Sequence, residues 1–270
     1  MVSAAKLRRA QDAVIQMRPY AQKLNSIMAN VSSDASIDLS ANPYSEERAV
    51  EKVLLICVTS DRGLCGAFNS NVIKTVNALV REKYATQASK GHVTVLTLGK
   101  KGNDVFLKSK LSHLTEYSHI FQKLNFDEAR KIAERVMNGF VHKEFDKVEI
   151  VYNEFKNVAT QIVRTVQFLP IVQEETVTTK GSNIDYIYEP SKEEIVQELI
   201  PKSLKIKLYS TLLESNASEH GARMTAMDKA TENAGELLKE LKLTYNRSRQ
   251  AAITKEILEI VGGAEALASA

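Results

Sequence analysis

The sequence contains only two cysteines and five prolines in 270 residues. Cys57 and Cys65 are too few for a disulfide framework, and no cysteines and histidines have the spacing of a metal site. A reducing compartment fits this composition. Residues 202–270 contain no proline, so no proline interrupts a helix there.

Long apolar runs are also absent. The longest strongly apolar run, Val53–Val58, is much shorter than the roughly 18 residues that a membrane-spanning helix needs. The start, Met1–Arg9, is basic but lacks the apolar region of a secretory signal. A net charge of +3 gives no reason to expect binding to bulk nucleic acid. The composition, 44% hydrophobic and 26% charged, is that of a globular chain.

The C-terminal segment carries the strongest pattern. Between Ser203 and Val261 it is rich in residues that favour helix. Apolar and small side chains recur there at alternating steps of three and four, with one extra four-residue step after Tyr245. The members of this C-terminal seam are His220, Met224, Met227, Thr231, Ala234, Leu238, Leu241, Tyr245, Ile257, Ile260, Ala264 and Leu267. We predict a continuous coiled-coil helix roughly 90–100 Å long.

The composition of this seam does not decide what packs against the helix. Several positions, such as Ala217, Thr231 and Ala234, are small or weakly apolar, whereas a two-stranded zipper prefers Leu and Ile. Because the predicted helix is longer than a domain of this size is wide, it either stands free or passes through a partner. On periodicity alone, an ordinary coiled-coil dimerisation arm is the simplest alternative.

A second heptad seam occupies the N-terminal segment. Its members are Leu7, Ala10, Val14, Met17, Ala21, Leu24, Met28 and Val31. Pro19 lies within it and is expected to kink or loosen one turn. Seams at both termini favour an antiparallel pair within one molecule, although intermolecular pairing stays open.

Strands and helices alternate between the two seams. Strands are predicted at Lys52–Thr59, His92–Leu98, Lys147–Tyr152, Thr160–Leu169 and Ile184–Tyr188. Helices are predicted at Asn69–Thr86, Asp104–Leu111 and Asp127–Glu144. We predict an α/β fold, with an antiparallel coiled coil of the terminal helices and a central Rossmann-like α/β domain. The predicted parts are residues 1–31, 50–190 and 191–270.

The loop after the first strand is the first candidate site. Ligands of open α/β sheets sit at the carboxyl ends of strands, and Gly63 and Gly66 leave room for a phosphate. No G-x-G-x-x-G or Walker lysine accompanies them, so a tight turn capped by Asn69 or Ser70 is the simpler interpretation. Cys65 has no histidine nearby in sequence to act as its base.

Four stretches carry a resemblance to a known family. Ser60-Asp-Arg-Gly-Leu-Cys-Gly-Ala-Phe-Asn69 resembles the signature loop of the ATP synthase gamma subunit family. Ser218-Glu-His-Gly-Ala-Arg-Met-Thr-Ala-Met227 and Leu243-Thr-Tyr-Asn-Arg-Ser-Arg-Gln-Ala-Ala-Ile-Thr254 resemble its C-terminal helix. Met1-Val-Ser-Ala-Ala-Lys-Leu-Arg-Arg-Ala-Gln11 resembles the middle of its N-terminal helix. The resemblance covers essentially the whole chain.

The resemblance implies a central rotor shaft without an active site or cofactor of its own. The terminal helices would form a coiled coil inside a hexamer of alpha and beta subunits. The α/β domain would meet the epsilon subunit and the membrane c-ring. Proton-driven rotation of that ring would be coupled to ATP synthesis and hydrolysis in the beta subunits. The chain would bind neither nucleotide nor nucleic acid directly, and would lie on the cytoplasmic side of a bacterial inner membrane, or on the matrix side of a mitochondrial one.

The resemblance also assigns residues. Alpha and beta subunit contacts are expected at Arg223, Arg249, Gln250, Thr254 and Glu259. Contacts with the c-ring and epsilon are expected at Tyr186, Tyr188 and Glu189. The signature loop is represented by Arg62, Gly63, Cys65 and Gly66.

Two departures from the family pattern are visible. Met1 falls inside the family's N-terminal motif, about 20–25 residues after the usual helix start. Antiparallel pairing in the family register would place Met1 near Gln250 and leave residues 251–270 unpaired. Gly221 stands where Ala or Ser is usual, at a helix-propensity cost of about 1 kcal/mol.

Two rival functions remain at this stage. One is a small α/β enzyme that binds a nucleotide at the Gly63–Gly66 loop, and the other is a coiled-coil scaffold that dimerises. Nucleotide binding by the isolated chain would favour the first, and a dimeric mass would favour the second.

Overall fold

The computed structural model describes residues 2–32, 42–171 and 192–268. Two compact units are distinguished, residues 1–225 and residues 226–270. The predicted strand at residues 184–188 lies outside the described residues. The predicted α/β fold with a long C-terminal helix is confirmed.

The first unit is built on a five-stranded sheet in the order β3-β2-β1-β4-β5. Its strands are β1 (Val53–Val58), β2 (Val93–Leu98), β3 (Ser112–Leu114), β4 (Lys147–Phe155) and β5 (Gln161–Leu169). The first four strands are parallel, and β5 pairs antiparallel to β4. Because β2 and β4 flank β1 on opposite sides, the carboxyl ends of β1 and β4 form the switch point of a doubly wound sheet.

Both faces of the central strands are buried, as the apolar run of β1 predicts. Leu54, Ile56 and Val58 lie in one core cluster, together with residues of α5 and α6. Val53, Leu55 and Cys57 lie in the other, together with residues of α2. The alternation follows the two-residue period of a strand.

The helices of the first unit cover the sheet. They are α1 (Val2–Ser32), α2 (Phe68–Glu82), α3 (Ala85–Ser89), α4 (Lys100–Phe106), α5 (Phe126–Val141) and the start of α6 (Lys192–Ala268). The short helix predicted at residues 104–111 is α4, which begins and ends earlier. The short elements α3, β3 and the 3-10 turn Ile120–Gln122 were not predicted.

The terminal helices pack together antiparallel within the first unit. Ala10 and Val14 of α1 contact Leu213 and Ala217 of α6. Arg18 donates to the carboxylate of Glu214 at 3.4 Å. The helix α1 continues through Pro19. Intramolecular pairing is therefore the correct alternative for these residues.

The register of this pair differs from the expected one. The charge of Lys6 acts on the side chains of Glu219 and His220. In the expected register Ala10 would lie level with about residue 241, whereas it packs with Leu213 and Ala217. The apolar contacts of Ala10 and Val14 hold α1 against an earlier part of α6. The expected position of Met1 near Gln250 lies outside the described residues.

The second unit is the remainder of α6 considered by itself. Every described side chain from Asp228 to Ala268 is exposed. Within the described ranges, no helix is both long and apolar enough to cross a bilayer.

Candidate functional site

The loop after β1 is closed by its own side chains. The Oδ1 of Asn69 accepts from the amide of Ser60 at 2.9 Å, and its Nδ2 donates to the Sγ of Cys65 at 3.2 Å. Leu64 and Gly66 have positive φ angles of 62° and 58°. Asn69 therefore fixes the loop, whereas Ala67 occupies the N-cap position of α2 without a side-chain cap. The predicted cap by Asn69 or Ser70 is wrong.

Arg223 of α6 binds this loop. Its Nη2 donates to the carbonyl oxygens of Arg62 at 3.1 Å and Gly63 at 3.4 Å. The same nitrogen lies 2.7 Å from the carboxylate of Glu219, one turn earlier in α6. The side chains of Arg223 and Glu219 are only 14% and 9% exposed. A planar guanidinium is suited to hold several acceptors at once.

The charges around Arg223 shift the titration of its neighbours. Burial raises the pKa of Glu219, although the charge of Arg223 opposes that shift. Burial, followed by the charges of Arg223 and Lys6, lowers the pKa of His220 to about 4. The Nδ1 of His220 lies 3.4 Å from the Nη1 of Arg223, a contact that suits a neutral imidazole accepting from the guanidinium.

The hairpin between β4 and β5 contacts the same part of α6. The Oγ1 of Thr225 lies 3.4 Å from the carbonyl oxygen of Val158 and 3.2 Å from that of Gly221, so its single proton is shared between the hairpin and the helix. A Cβ added at Gly221 would lie 3.3 Å from the carbonyl oxygen of Val158. Gln161 also donates to it, at 2.8 Å, and so holds the hairpin carbonyl in place. The close approach of this backbone explains why glycine is suited to position 221.

We call these contacts the collar. It consists of the loop 60–66, the hairpin 156–160, and α6 from residue 217 to residue 225, with α1 packed on α6. The loop and the hairpin follow β1 and β4, so the collar lies at the switch point where doubly wound folds bind ligands. Here the carbonyl oxygens of Arg62 and Gly63 face a guanidinium, whereas a phosphate cradle requires backbone N–H groups.

The thiol of Cys65 is buried within the loop. It is 1% exposed and accepts from Asn69. Cys57, on β1, is fully buried, and burial raises its pKa to about 12. Neither environment is the partly exposed, electropositive one of a reactive cysteine.

The second unit presents the other predicted contact residues. Arg249, Gln250, Thr254 and Glu259 are all exposed. The Oγ1 of Thr254 donates to the carbonyl of Gln250 within the helix, and Glu259 lies 3.7 Å from Lys255. Large apolar side chains are exposed along the same helix. They are Leu237, Leu238, Leu241, Leu243, Tyr245, Ile253, Ile257, Leu258, Ile260, Val261 and Leu267.

The structure thus unites only part of the predicted site. It brings the signature loop and Arg223 together, and it leaves Arg249, Gln250, Thr254 and Glu259 in the second unit. Tyr186, Tyr188 and Glu189 lie outside the described residues. Glu219, Thr225 and Val158 were not predicted. The feature of the sequence that could have indicated this contact is Gly221, because a glycine inside a long helix often marks a close approach of another backbone.

The chain resembles known proteins over nearly its whole length. A family model described as ATP synthase matches residues 1–267. The ATP synthase gamma chain of Cytophaga hutchinsonii is 61% identical over 269 residues, covering 99% of this chain and 91% of that protein. The chain belongs to the ATP synthase gamma chain family. The gamma chain of Flavobacterium psychrophilum is 54% identical, covering 99% of this chain and 91% of that protein.

Solved structures agree with this gamma-chain family. A chain in the cryo-EM structure of the central stalk and c-ring of Tetrahymena thermophila mitochondrial ATP synthase has a TM-score of 0.59 and 26% identity, covering 86% of this chain and 96% of that one. A chain of the Euglena gracilis mitochondrial enzyme has a TM-score of 0.58 at 20% identity, covering 98% and 95%, and shows the shared fold alone. The fold is that of a central-stalk subunit.

Proposed function

We propose that the chain is the rotor shaft of an F-type ATP synthase. It would couple proton-driven rotation of a membrane c-ring to ATP synthesis and hydrolysis in beta subunits, without catalysing either reaction. It would act as a peripheral subunit on the cytoplasmic side of a bacterial inner membrane. Membership of the gamma chain family supports this proposal.

The observation that carries the proposal is the exposed apolar surface of the second unit. Single exposed apolar residues are ordinary, but contiguous apolar surface marks an interaction site. Here Leu241, Ile257 and Ile260 of the C-terminal seam are 57%, 54% and 71% exposed, and Leu243 and Leu258, which lie off the seam, are 60% and 65% exposed. A surrounding hexamer of alpha and beta subunits would cover such a surface from all sides, whereas a coiled-coil partner would cover one stripe.

Contact roles for individual residues are part of the proposal. Arg249, Gln250, Thr254 and Glu259 are exposed and available to alpha and beta subunits. A guanidinium such as that of Arg249 can pair directionally and reversibly with carboxylates as the shaft turns. The predicted contact of Arg223 with beta subunits stays a prediction, since its guanidinium binds the chain's own loop in this structure. Epsilon and c-ring contacts of Tyr186, Tyr188 and Glu189 also stay predictions.

Assembly tests the proposal. The chain is mixed with purified alpha and beta subunits, and the mass and ATP hydrolysis of the product are measured. We expect a complex of three alpha, three beta and one gamma chain that hydrolyses ATP. The variant Ile257→Asp should assemble poorly, because it places a charge on the covered surface.

A matched variant controls for general effects of the new charge. Leu107→Asp changes an equally exposed leucine of the first unit (60% exposed) and should assemble like the parent. A folded chain that does not associate, or two variants that behave alike, would contradict the proposal. A dimeric mass for the chain alone would instead favour the scaffold function, and nucleotide binding lost in Gly66→Val would favour the enzyme.

A further inference from the structure

The collar holds α6 on three sides within a few turns. Arg223 binds the loop 60–66, Thr225 binds the hairpin 156–160, and Ala217 packs against α1. A helix that is held on one side can roll about its axis. Contacts on several sides, from elements that are themselves fixed in the sheet, resist such rolling.

We propose that the collar is a torsional clamp between the α/β body and α6, and that Arg223 is its positioning residue. This proposal rests on the proposed rotor function. In a rotor, torque must pass between the body, which meets the ring, and the long helix. Arg223 would serve that transfer through hydrogen bonds to its own chain, and a contact with beta subunits would not be its main role.

The support on the loop side is rigid. Asn69 binds the backbone of Ser60 and the thiol of Cys65, and Ser60 donates to the carbonyl of Arg62 at 2.6 Å. Asp61 accepts from the amide of Lys100 at 3.1 Å and ties the loop to the start of α4. The acceptors of Arg223 therefore do not move independently of the sheet.

The support on the helix side is equally specific. Glu219 pairs with Arg223 at 2.7 Å and aims the guanidinium at the loop. Both side chains are nearly buried, so the pair is partly desolvated and its geometry is well defined. A lysine at position 223 could also donate to these acceptors, but its ammonium is a point charge on a flexible stem and lacks the rigid planar fork of the guanidinium.

The hairpin contact completes the clamp. The absence of a side chain at Gly221 lets the carbonyl of Val158 approach the helix, and the hydroxyl of Thr225 lies 3.4 Å from the same oxygen. Gln161 fixes this carbonyl from β5. The loop and the hairpin act on α6 from the ends of two adjacent strands, β1 and β4.

Single-molecule rotation of the assembled complex tests the clamp. Cys57 and Cys65 are buried, so a Lys108→Cys substitution provides an exposed labelling site on the body. The angular spread of a probe attached there is recorded during pauses between steps. We expect Arg223→Met to widen the spread roughly 1.5-fold or more and to speed amide exchange in the loop at least roughly ten-fold, as loss of hydrogen bonds to a charged group allows.

Three further variants sharpen this test. Arg223→Lys should give an intermediate spread, and Thr225→Val a smaller widening that remains informative if Arg223→Met folds poorly. Arg81→Met removes an exposed arginine that donates to the carbonyl of Asn77 within α2, and it should leave the spread unchanged. ATP hydrolysis without load should stay close to the parent rate in Thr225→Val and Arg81→Met.

The alternatives give different results. An unchanged spread with reduced unloaded hydrolysis would overturn the clamp and assign Arg223 to beta subunits. An unchanged spread with unchanged hydrolysis would also overturn it. If the parent complex neither assembles nor rotates, the rotor function itself fails, and this outcome is recognised because it does not depend on position 223.

Discussion

Gly221 of α6 faces the backbone carbonyl of Val158 so closely that a Cβ at position 221 would lie 3.3 Å from that oxygen. Glycine lowers the stability of a helix relative to alanine, but its lack of a side chain leaves room for the hairpin backbone at the helix surface. For Gly235, in the second unit, an added Cβ would have no described atom within 4 Å beyond its chain neighbours and the backbone of its own helix. Comparing the two glycines therefore separates the effect of helix propensity on stability from the effect of the contact with the hairpin.

Alanine substitution should affect these two glycines differently. Gly235→Ala should stabilise its part of the helix by about 0.5–1 kcal/mol, the usual propensity gain. Gly221→Ala should be neutral or destabilising by up to about 1 kcal/mol, because the displaced hairpin offsets that gain. Local amide exchange near each position measures the change. Equal stabilisation at both positions would contradict the close contact described for Gly221.

His220 should make the stability of the first unit sensitive to mild acid. Its ordinary pKa of 6.5 is lowered to about 4 in the folded chain, so the unfolded chain binds a proton more readily between these values. Its contribution to stability is complete above pH 6.5 and is lost as the pH falls toward 4. Glu219 acts in the opposite direction, because its raised pKa favours the folded state as the pH falls.

The variant His220→Gln isolates the imidazole from these other groups. Between pH 7 and pH 5 we expect the parent to lose about 1–2 kcal/mol of unfolding free energy relative to this variant, after allowance for partial solvent screening. Thermal unfolding followed by circular dichroism at several pH values gives the difference. Parallel pH profiles for the two proteins would show that His220 is not held neutral by the collar.

A buried carboxylate on β4 provides a second test of the first unit. Glu149 is 3% exposed and pairs with Lys83, which follows α2. Lys83→Met should lower the unfolding free energy by about 2 kcal/mol, less than for a fully buried pair because the lysine is half exposed. Lys131→Met breaks an exposed pair with Glu128 and should leave the unfolding free energy close to that of the parent. Similar losses in both variants would contradict the role of burial at Glu149.

The two thiols should be protected in the folded chain. Cys57 and Cys65 are 0% and 1% exposed, and burial raises the pKa of Cys57 to about 12. A thiol reagent should titrate neither cysteine in the native state and both in denaturant. Lys108→Cys serves as the exposed control. One fast-reacting thiol at position 65 in the native chain would revive the nucleophile hypothesis.

The sequence was sufficient to predict the elements whose patterns are long or strongly buried. The β-branched run of β1 and the seam of α6 are examples, because burial and periodicity leave their marks on the residues themselves. The three-residue strand β3 and the five-residue helix α3 were missed, because such short elements depend on neighbouring strands and turns. The predicted domain limits at residues 50–190 stay a prediction.

The register of α1 on α6 and the collar required the structure. A heptad seam is compatible with several registers, since sliding one helix by whole heptads keeps apolar residues facing each other. The collar joins the loop after β1, the hairpin after β4 and α6. Only the fold brings together Arg223 and the carbonyl of Arg62, which are 161 positions apart. The family resemblance predicted that Arg223 would contact alpha and beta subunits.

Rotation of the chain inside a complex with alpha and beta subunits is the most direct test of the central claim. A probe is attached at Lys108→Cys while the hexamer is fixed to a surface, and ATP is added. A rotor subunit should turn in one direction, pause at three positions per revolution, and stop when ATP is removed. A complex that hydrolyses ATP while the probe stays fixed would contradict the rotor function.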